Sequence, residues 1–304
     1  MDPVTLVSVI LPTYNRTAYM TASIDSVLKQ SCADWELVIA DDGSAEETAT
    51  CLNALRDRRI TVLRLPHSGN PAKVRNAAIR RAQGEYLAFL DSDDLWAPNK
   101  LEMQLATMRA SPGCRWSYTA TADIDATGRL VEIAGQAIWR PLSGNIVEAL
   151  ITFRALLSTS SVMAERSLVE EVGGFDEQQL FGEDYDLFIR LALRSDVAVV
   201  DQRVIFTRNL QRDSYSTDRI GAYEGWVRLY DNLTRSLPDE RLRALAAHRR
   251  AETSLVLARL YADAGQGTAA YRALARGARR GPRPADWWWR ALKTFVRTSI
   301  RPSI

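Results

Sequence analysis

Apolar runs with a period of two alternate with runs of helical period through the first hundred residues. "LVSVILP" (6–12) predicts a strand that ends at Pro12, and "AYMTASIDSVLKQS" (18–31) predicts a helix with Ile24, Val27 and Leu28 on one face. "WELVIADDGS" (35–44) and "ITVLRLP" (60–66) predict strands. Between them "AEETATCLNALRD" (45–57) predicts a helix, with acids in the first turn, where the dipole favours them. "PAKVRNAAIRRAQG" (71–84) predicts a helix closed by Gly84 as C-cap, and "EYLAFLD" (85–91) a fourth strand. Strand–helix alternation implies parallel pairing by crossovers, hence an open α/β sheet covered on both faces.

Further along, "CRWSYTATADIDATGRLVEI" reads as two strands around "ATG", a hairpin. "LLSTSSVMAERSLVEEVGGFDE" reads as a strand and a helix ending at Gly173-Gly174. For Trp96, Trp116 and Trp139, packing in the core is the expected role, with stacking on a sugar the alternative. The division expected is a body over 1–230, in halves of about 1–110 and 111–230, and a helical extension over 231–304, with the break in "DNLTRSLPDE" (231–240).

Composition narrows the class. Of 304 residues, 46% are hydrophobic and 25% charged, as a folded globular protein requires. No run of 18 apolar residues exists, so no spanning helix is expected. "MDPVTLVSVILPTYNR" places acid and Pro before its apolar run, unlike the basic start of a secretory signal. Cys32, Cys51 and Cys114 are odd in number and show no paired spacing, which points to a reduced, cytoplasmic setting. With only His67 and His248 and no C-x-x-C, a structural zinc site is not expected. The net charge of +2 conceals an asymmetry: residues 241–304 hold 14 Lys and Arg against Glu252, Asp263 and Asp286, or +11, which leaves −9 for the rest.

In open α/β sheets, ligands sit beyond the carboxyl ends of the strands. Those ends deliver "PTYNR" (12–16), "DDGS" (41–44) and "DSDD" (91–94). Taken singly, "DDGS" is a strand-to-helix turn, and Asp94 caps the helix of "LWAPNKLEMQLATMRA". Two acidic ends on one sheet edge call for something positive between them, and their open carboxylates suit Mn²⁺ or Mg²⁺. The first loop, "PTYNRTAY", has no glycine, and G-x-G-x-x-G and G-x-x-x-x-G-K-[ST] are both missing. Without a glycine cradle for phosphates, a cation would carry their charge.

"VSVILPTYNR", "ELVIADDGS", "VRNAAIRRAQGEYLAFLDSDDLW" and "EVGGFDE…FGEDYDLFIRLAL" together resemble the family 2 inverting glycosyltransferases of GT-A fold, over about residues 6–217. The resemblance implies a Rossmann-like open mixed sheet flanked by helices. It also implies transfer of a hexosyl or N-acetylhexosaminyl group, with inversion, from a nucleotide diphosphate (commonly UDP) to a glycan or lipid-linked hydroxyl. By the same resemblance Pro12 and Tyr14 line the base, Asp42 accepts from the uracil imide, and Arg75 faces the nucleotide pocket. Asp91 is implied on the ribose side, and with Asp93 as metal ligand. Asp184 is implied as general base, with Glu183 beside it facing the acceptor. Single displacement explains those types: one acid set holds the metal, and another, apart from it, takes the proton. Paired acids at 183–184 are expected to raise one pKa by like-charge repulsion. Many relatives carry a His after the last strand; here the segment is "FTRNLQRDSYS", with Gln211 or Arg212 near the expected place.

The extension predicts two helices joined at "DAGQG", then a helix over 285–300. Its Trp288, Trp289, Leu292, Phe295 and Val296 fall on one side, and Arg290, Lys293, Thr294 and Arg297 on the other. That pattern suits an anchor lying on an anionic membrane surface, which would make the protein peripheral on the inner face; docking on the protein body or on a second copy, as a homo-oligomer, is the other reading. Nucleic acid is not an expected partner, because the body is acidic and no recognition module appears. Two other functions compete: a non-catalytic scaffold that binds nucleotide sugar, and an aspartyl phosphatase opening on D-x-D, against which stand Leu95-Trp96 and the unexplained "DDGS".

Overall fold

A computed structural model describes residues 6–131, 141–208, 218–279, 281–282 and 284–300, with side chains through 295. The chain forms two compact units: Met1–Val147 with Ala155–Glu177 and Asp184–Leu210, and Glu148–Arg154 with Gln178–Glu183 and Gln211–Ile304.

The first unit opens with the expected alternation. It runs β1 (Val7–Thr13), α1 (Thr17–Leu28), β2 (Trp35–Asp41), α2 (Glu46–Asn53), β3 (Ile60–Arg64), α3 (Pro71–Arg81) and β4 (Tyr86–Phe89). Then come β5 (Leu95–Trp96), α4 (Lys100–Ala110) and the hairpin of β6 (Cys114–Ile124) with β7 (Leu130–Val131). After α5 (Val147–Ile151), which lies in the second unit from Glu148 on, a 3-10 turn (Thr159–Ser161) leads to β8 (Met163–Glu165), α6 (Arg166–Glu171), α7 (Glu183–Ala192, in the first unit from Asp184) and β9 (Asp196–Arg208). The sheet runs β3-β2-β1-β4-β8-β6-β9-β5, with β7 on β6. β1 to β4 pair in parallel, and β8 joins antiparallel to both β4 and β6. The mixed sheet follows from that reversal. β1 and β2 are buried almost throughout, and Val7, Val9, Leu11, Leu37 and Ile39 share one core cluster with Met20, Ile24 and Val27 of α1. Trp96 and Trp116 are core residues, 3% and 0% exposed; Trp139 lies outside the described residues.

Three local expectations are corrected. β1 runs through Pro12 to Thr13. Thr13 faces β2, where its carbonyl accepts from the Asp42 amide, and Ile10 faces β4, where its carbonyl accepts from Leu90. Pro12 shares the side of Ile10, but the β4 ladder ends at Ile10 and Phe89, so its missing N–H breaks nothing. Gly84 is not a C-cap: α3 ends at Arg81, and Ala82 follows in extended conformation. A Cβ at Gly84 would lie 2.6 Å from the Ser8 amide nitrogen, so glycine is required there by close packing on β1. Asp94 caps no helix, because β5 intervenes and α4 starts after Asn99.

α3 explains "VRNAA". The Asn76 side chain donates to the Phe175 carbonyl (2.9 Å) and accepts from the Phe175 amide (2.9 Å), and so clasps the loop after α6 as a strand would. Asn70 caps α3 by accepting from Lys73, and its amide donates to the Glu177 carbonyl (2.7 Å).

The second unit contains α8 (Arg219–Ser236), α9 (Glu240–Asp263), α10 (Gly267–Gly277) and α11 (Trp287–Ile300). Asp218 and Asp239 cap the first two of these helices. Helix α8 runs through Asp231–Ser236 and breaks at Leu237-Pro238, while α9 and α10 meet at "AGQ". α9 is the spine: Leu257 and Tyr261 pack on Val227 and Ala273, and Ala251 and Leu255 on Trp287.

Two outcomes test this packing. Asn76→Ala leaves two buried backbone groups without partners, at roughly 1–3 kcal/mol each, and urea denaturation is expected to show a loss of about 2–4 kcal/mol. Lys100 is wholly buried, its Nζ 3.7 Å from the Trp96 ring centre and without a hydrogen-bond acceptor among the described residues. Burial pulls its pKa well below the ordinary lysine value. The unfolded chain therefore binds one more proton between the folded pKa and about 10.4, the value for a free lysine, so stability rises with pH across that window. Lys100→Met is expected to remove this slope and to raise stability at neutral pH.

Candidate active site

The carboxyl ends of β1, β2 and β4 share one edge of the sheet, in register at Thr13 with Asp41. Both acids at the end of β2 meet a cation or donor of the chain. Asp41, fully buried at the end of β2, pairs with Arg64 of β3 (2.7 Å) and accepts from the Ser44 amide (3.2 Å). Asp42 accepts from the Ser68 amide and hydroxyl and the Gly69 amide, all at 2.9 Å, and His67 Nδ1 lies 3.1 Å from its other oxygen. Three donors thus hold the carboxylate against residues 68 and 69, while His67 Nδ1 also lies 2.9 Å from the Asp42 carbonyl oxygen. Ser44 does not cap α2; its hydroxyl accepts from the Asn15 amide (2.8 Å), and Asn15 accepts in turn from Ala45 (2.8 Å). Asn15 stands at φ 49°, a left-handed turn that Asn tolerates. Tyr14 is 43% exposed, and its ring stacks on His67 at 4.2 Å with 19° between planes. Pro12 is half-buried opposite Ala40.

The second cluster lies after β4. Arg75, 6% exposed on α3, donates to Asp91 (2.7 Å) and lies over the Phe175 ring at 5.3 Å. Ser160 of the 3-10 turn ties the segment together: its hydroxyl accepts from the Asp91 amide (3.0 Å) and donates to Asp94 (2.6 Å). Asp94 also accepts from the Arg208 amide at the end of β9 (3.2 Å). Burial, then the charges of Asp91 and Asp93, push the Asp94 carboxyl well above the ordinary range. Asp94 thus ties β9 and the 3-10 turn to the strand end. Asp93 is raised by burial and by Asp91, against the pull of Arg16 and Arg208.

Asp184 lies in the first turn of α7. It accepts from the Tyr185 amide (2.8 Å), and Thr159 stands 3.4 Å away. Burial raises its pKa; the Tyr185 hydrogen bond and the Arg75 charge oppose this, and the Asp91 charge adds to it. A like charge acts on Asp184 from Asp91, at a separation of 93 positions in the chain. Glu183 is itself buried. The structure therefore brings Arg75, Asp91, Asp93 and Asp184 into one electrostatic neighbourhood, with Tyr14 and Asp42 on the same sheet edge. Gln211 and Arg212 lie outside the described residues.

Among the described residues, no three His, Cys, Asp or Glu side chains form a ready metal cluster. Asp91 and Asp93 nonetheless fit a divalent ion. The two carboxylates, both half-buried, act on one another at the end of β4, a repulsion that a cation relieves. Their two-ligand set leaves positions for phosphate oxygens, as Mg²⁺ and Mn²⁺ prefer.

Residues 8–119 match the family model described as Glycosyl transferase family 2. The chain carries a glycosyl transferase family 2 domain. Over 103 residues it is 47% identical to the UDP-Glc:alpha-D-GlcNAc-diphosphoundecaprenol beta-1,3-glucosyltransferase WfgD of Escherichia coli, a match covering 34% of this chain and 41% of WfgD. The chain spans less than half the length of the first curated relatives it matches. The fold of the chain resembles residues 1–349 of S. aureus TarS in complex with UDP-GlcNAc, with TM-score 0.66 and 18% identity, over 90% of this chain and 88% of that one. A mannosyltransferase from Pyrobaculum calidifontis, in complex with GDP-Man and Mn2+, gives TM-score 0.59 at 17% identity over 97% and 86%. The mixed sheet is the GT-A type that the sequence resemblance implies.

Ser160, Thr159, His67 and Arg208 are neighbours of these acids that the sequence pattern does not single out. Ser160 and Thr159 sit in "LSTSS", where a polar run breaks an apolar stretch, and that interruption is their only local signal. Asp42→Asn places an NH₂ group against the donors of Ser68, Gly69 or His67. Amide exchange at Ser68 and Gly69 is expected to quicken by about tenfold or more, on the scale of one lost buried hydrogen bond; unchanged protection there contradicts the geometry.

Proposed function

We propose that the chain is an inverting glycosyltransferase that moves a sugar from a nucleotide diphosphate, of the UDP class, to a hydroxyl of a glycan or lipid-linked acceptor by single displacement. One observation carries the reading: Arg75 pairs with Asp91 while its charge acts on Asp184, so a nucleotide-side acid and a separate, proton-hungry acid are set around one guanidinium. WfgD, named for a UDP-glucose donor and a diphosphoundecaprenol acceptor, supports the donor and acceptor classes.

Tyr14 and Pro12 line the base and Asp42 orders the loop beside it; its engaged oxygens would exchange a protein donor for the imide. A divalent ion, Mn²⁺ or Mg²⁺, would be held by Asp93 and Asp91, and when bound it supplies positive charge to the leaving diphosphate. Arg75 holds Asp91 in place and restrains the pKa of Asp184. Asp184 takes the acceptor proton on the face opposite the leaving group, and Glu183 faces the acceptor beside it. An acceptor carried on a lipid places the reaction at a membrane surface.

Asp184→Asn preserves shape but cannot accept a proton, so kcat is expected to fall by roughly 10²–10⁴ with donor affinity nearly unchanged. Retained turnover would transfer the role to Glu183. Turnover requires ionised Asp184, whose raised pKa sets the acid limb of kcat/KM above the ordinary aspartate range. Arg75→Gln removes a charge that lowers that pKa, so the limb is expected to move to higher pH. UDP titrated calorimetrically with Mn²⁺, with chelator, and against Asp93→Ala is expected to bind well only in the first case; equal affinity in all three removes the metal assignment. Donor binding without any turnover would favour the scaffold.

A further inference from the structure

Helix α11 has two faces of different fate. Trp287, 1% exposed, donates its indole N–H to the Ala251 carbonyl of α9 (2.8 Å), and Ala291 and Thr294 are buried on the same side. A Cβ at Gly277 would meet Trp287 Cζ2 at 2.7 Å, so α10 leaves a glycine-sized space for the ring. Thr294 therefore belongs to the packed face, not to the charged one its sequence position suggests. The remaining apolar residues stay in water: Trp288 is 62% exposed, Trp289 60%, Leu292 51% and Phe295 49%. At about 100° per residue they cover an arc of about 120°. Tyr271 of α10, 37% exposed, extends the patch by its ring contact with Phe295 at 5.1 Å. At the edge of the arc, exposed Lys293 places its ammonium 4.9 Å from the Trp289 ring centre.

We propose that this exposed aromatic face of α11 is a docking surface for an anionic lipid bilayer. The inference rests on the second unit alone and stands whether or not the reaction proposed above is correct. Packing and docking, alternatives when only the sequence is read, here occupy different faces of one helix. Exposed Trp and Phe prefer the interfacial layer, where the ring is buried and its polar edge stays wet. A patch of several large apolar side chains is also more than solubility explains. Charge selects the occupant. Residues 241–304 carry 14 Lys and Arg against three acids. Two copies meeting face to face through such a surface repel, whereas an anionic leaflet attracts it.

The test is flotation of the full chain with vesicles of phosphatidylglycerol and phosphatidylcholine in equal parts, beside vesicles of phosphatidylcholine alone. Flotation is expected with the anionic vesicles at low salt and is expected to weaken at high salt, where the Debye length shortens. Trp288→Ser with Leu292→Ser, both on the exposed arc, is expected to lower the vesicle-bound fraction about tenfold or more, on the scale set by loss of inserted apolar groups. Circular dichroism and UDP binding should not change. No flotation of the wild-type chain overturns the proposal, as does equal flotation of the double variant. A wild-type dimer on sedimentation that the variant converts to monomer assigns the patch to a second copy and also overturns it. Flotation reads no turnover, so loss of catalysis with intact flotation would count only against the enzymatic reading.

Discussion

The pairing of Arg75 with Asp91 holds the candidate site together. Carboxylates crowded at the end of a parallel strand, and a guanidinium buried beside them, are costly unless charges of opposite sign answer one another. Here the answer comes from within α3, whose Arg75 is almost fully buried and 2.7 Å from the Asp91 carboxylate. The same guanidinium lies over Phe175 and lowers the pKa of Asp184. One cation thus connects a helix, a strand end and the loop after α6. Its neighbour Asn76 fixes that loop by its backbone, so the charge and the clasp come from consecutive residues of one helix turn.

The acids at the ends of β2 and β4 and in α7 differ in what surrounds them. Asp41, Asp42 and Asp94 are engaged with the protein itself, through Arg64, through Ser68 and Gly69, and through Ser160 and the Arg208 amide. Burial and the charge of Asp91 raise the pKa values of Asp93 and, in α7, of Asp184.

Much of the first unit was legible in the chain because its strands are short apolar runs punctuated by Pro, Gly and acid, and its helices have a clear face. Strand order beyond β4 was not: the antiparallel insertion of β8 between β4 and β6 depends on tertiary packing, not on local period. The site was half legible. Acids stand out in sequence, but the partners that decide their roles are small and distant. Ser160 lies 66 residues from Asp94, and Arg208 lies 114 residues from it. Gly84 misled for a related reason: a glycine after a helix reads as a cap, whereas its true constraint is the Ser8 backbone, 76 positions earlier.

The clasp of Asn76 on Phe175 spans 99 positions. Contacts at such separation form late, because the entropy of closing the loop must be met before they contribute. Chain emerges from a ribosome at about 5–20 residues per second, so about 5–20 s separates the two halves of this clasp during synthesis. Throughout that interval α3 presents Arg75 and Asn76 with their partner loop still unmade. The nascent chain therefore holds the acids at the ends of β2 and β4 long before it holds Asp184, and the neighbourhood around Arg75 is completed only after the later half has been made.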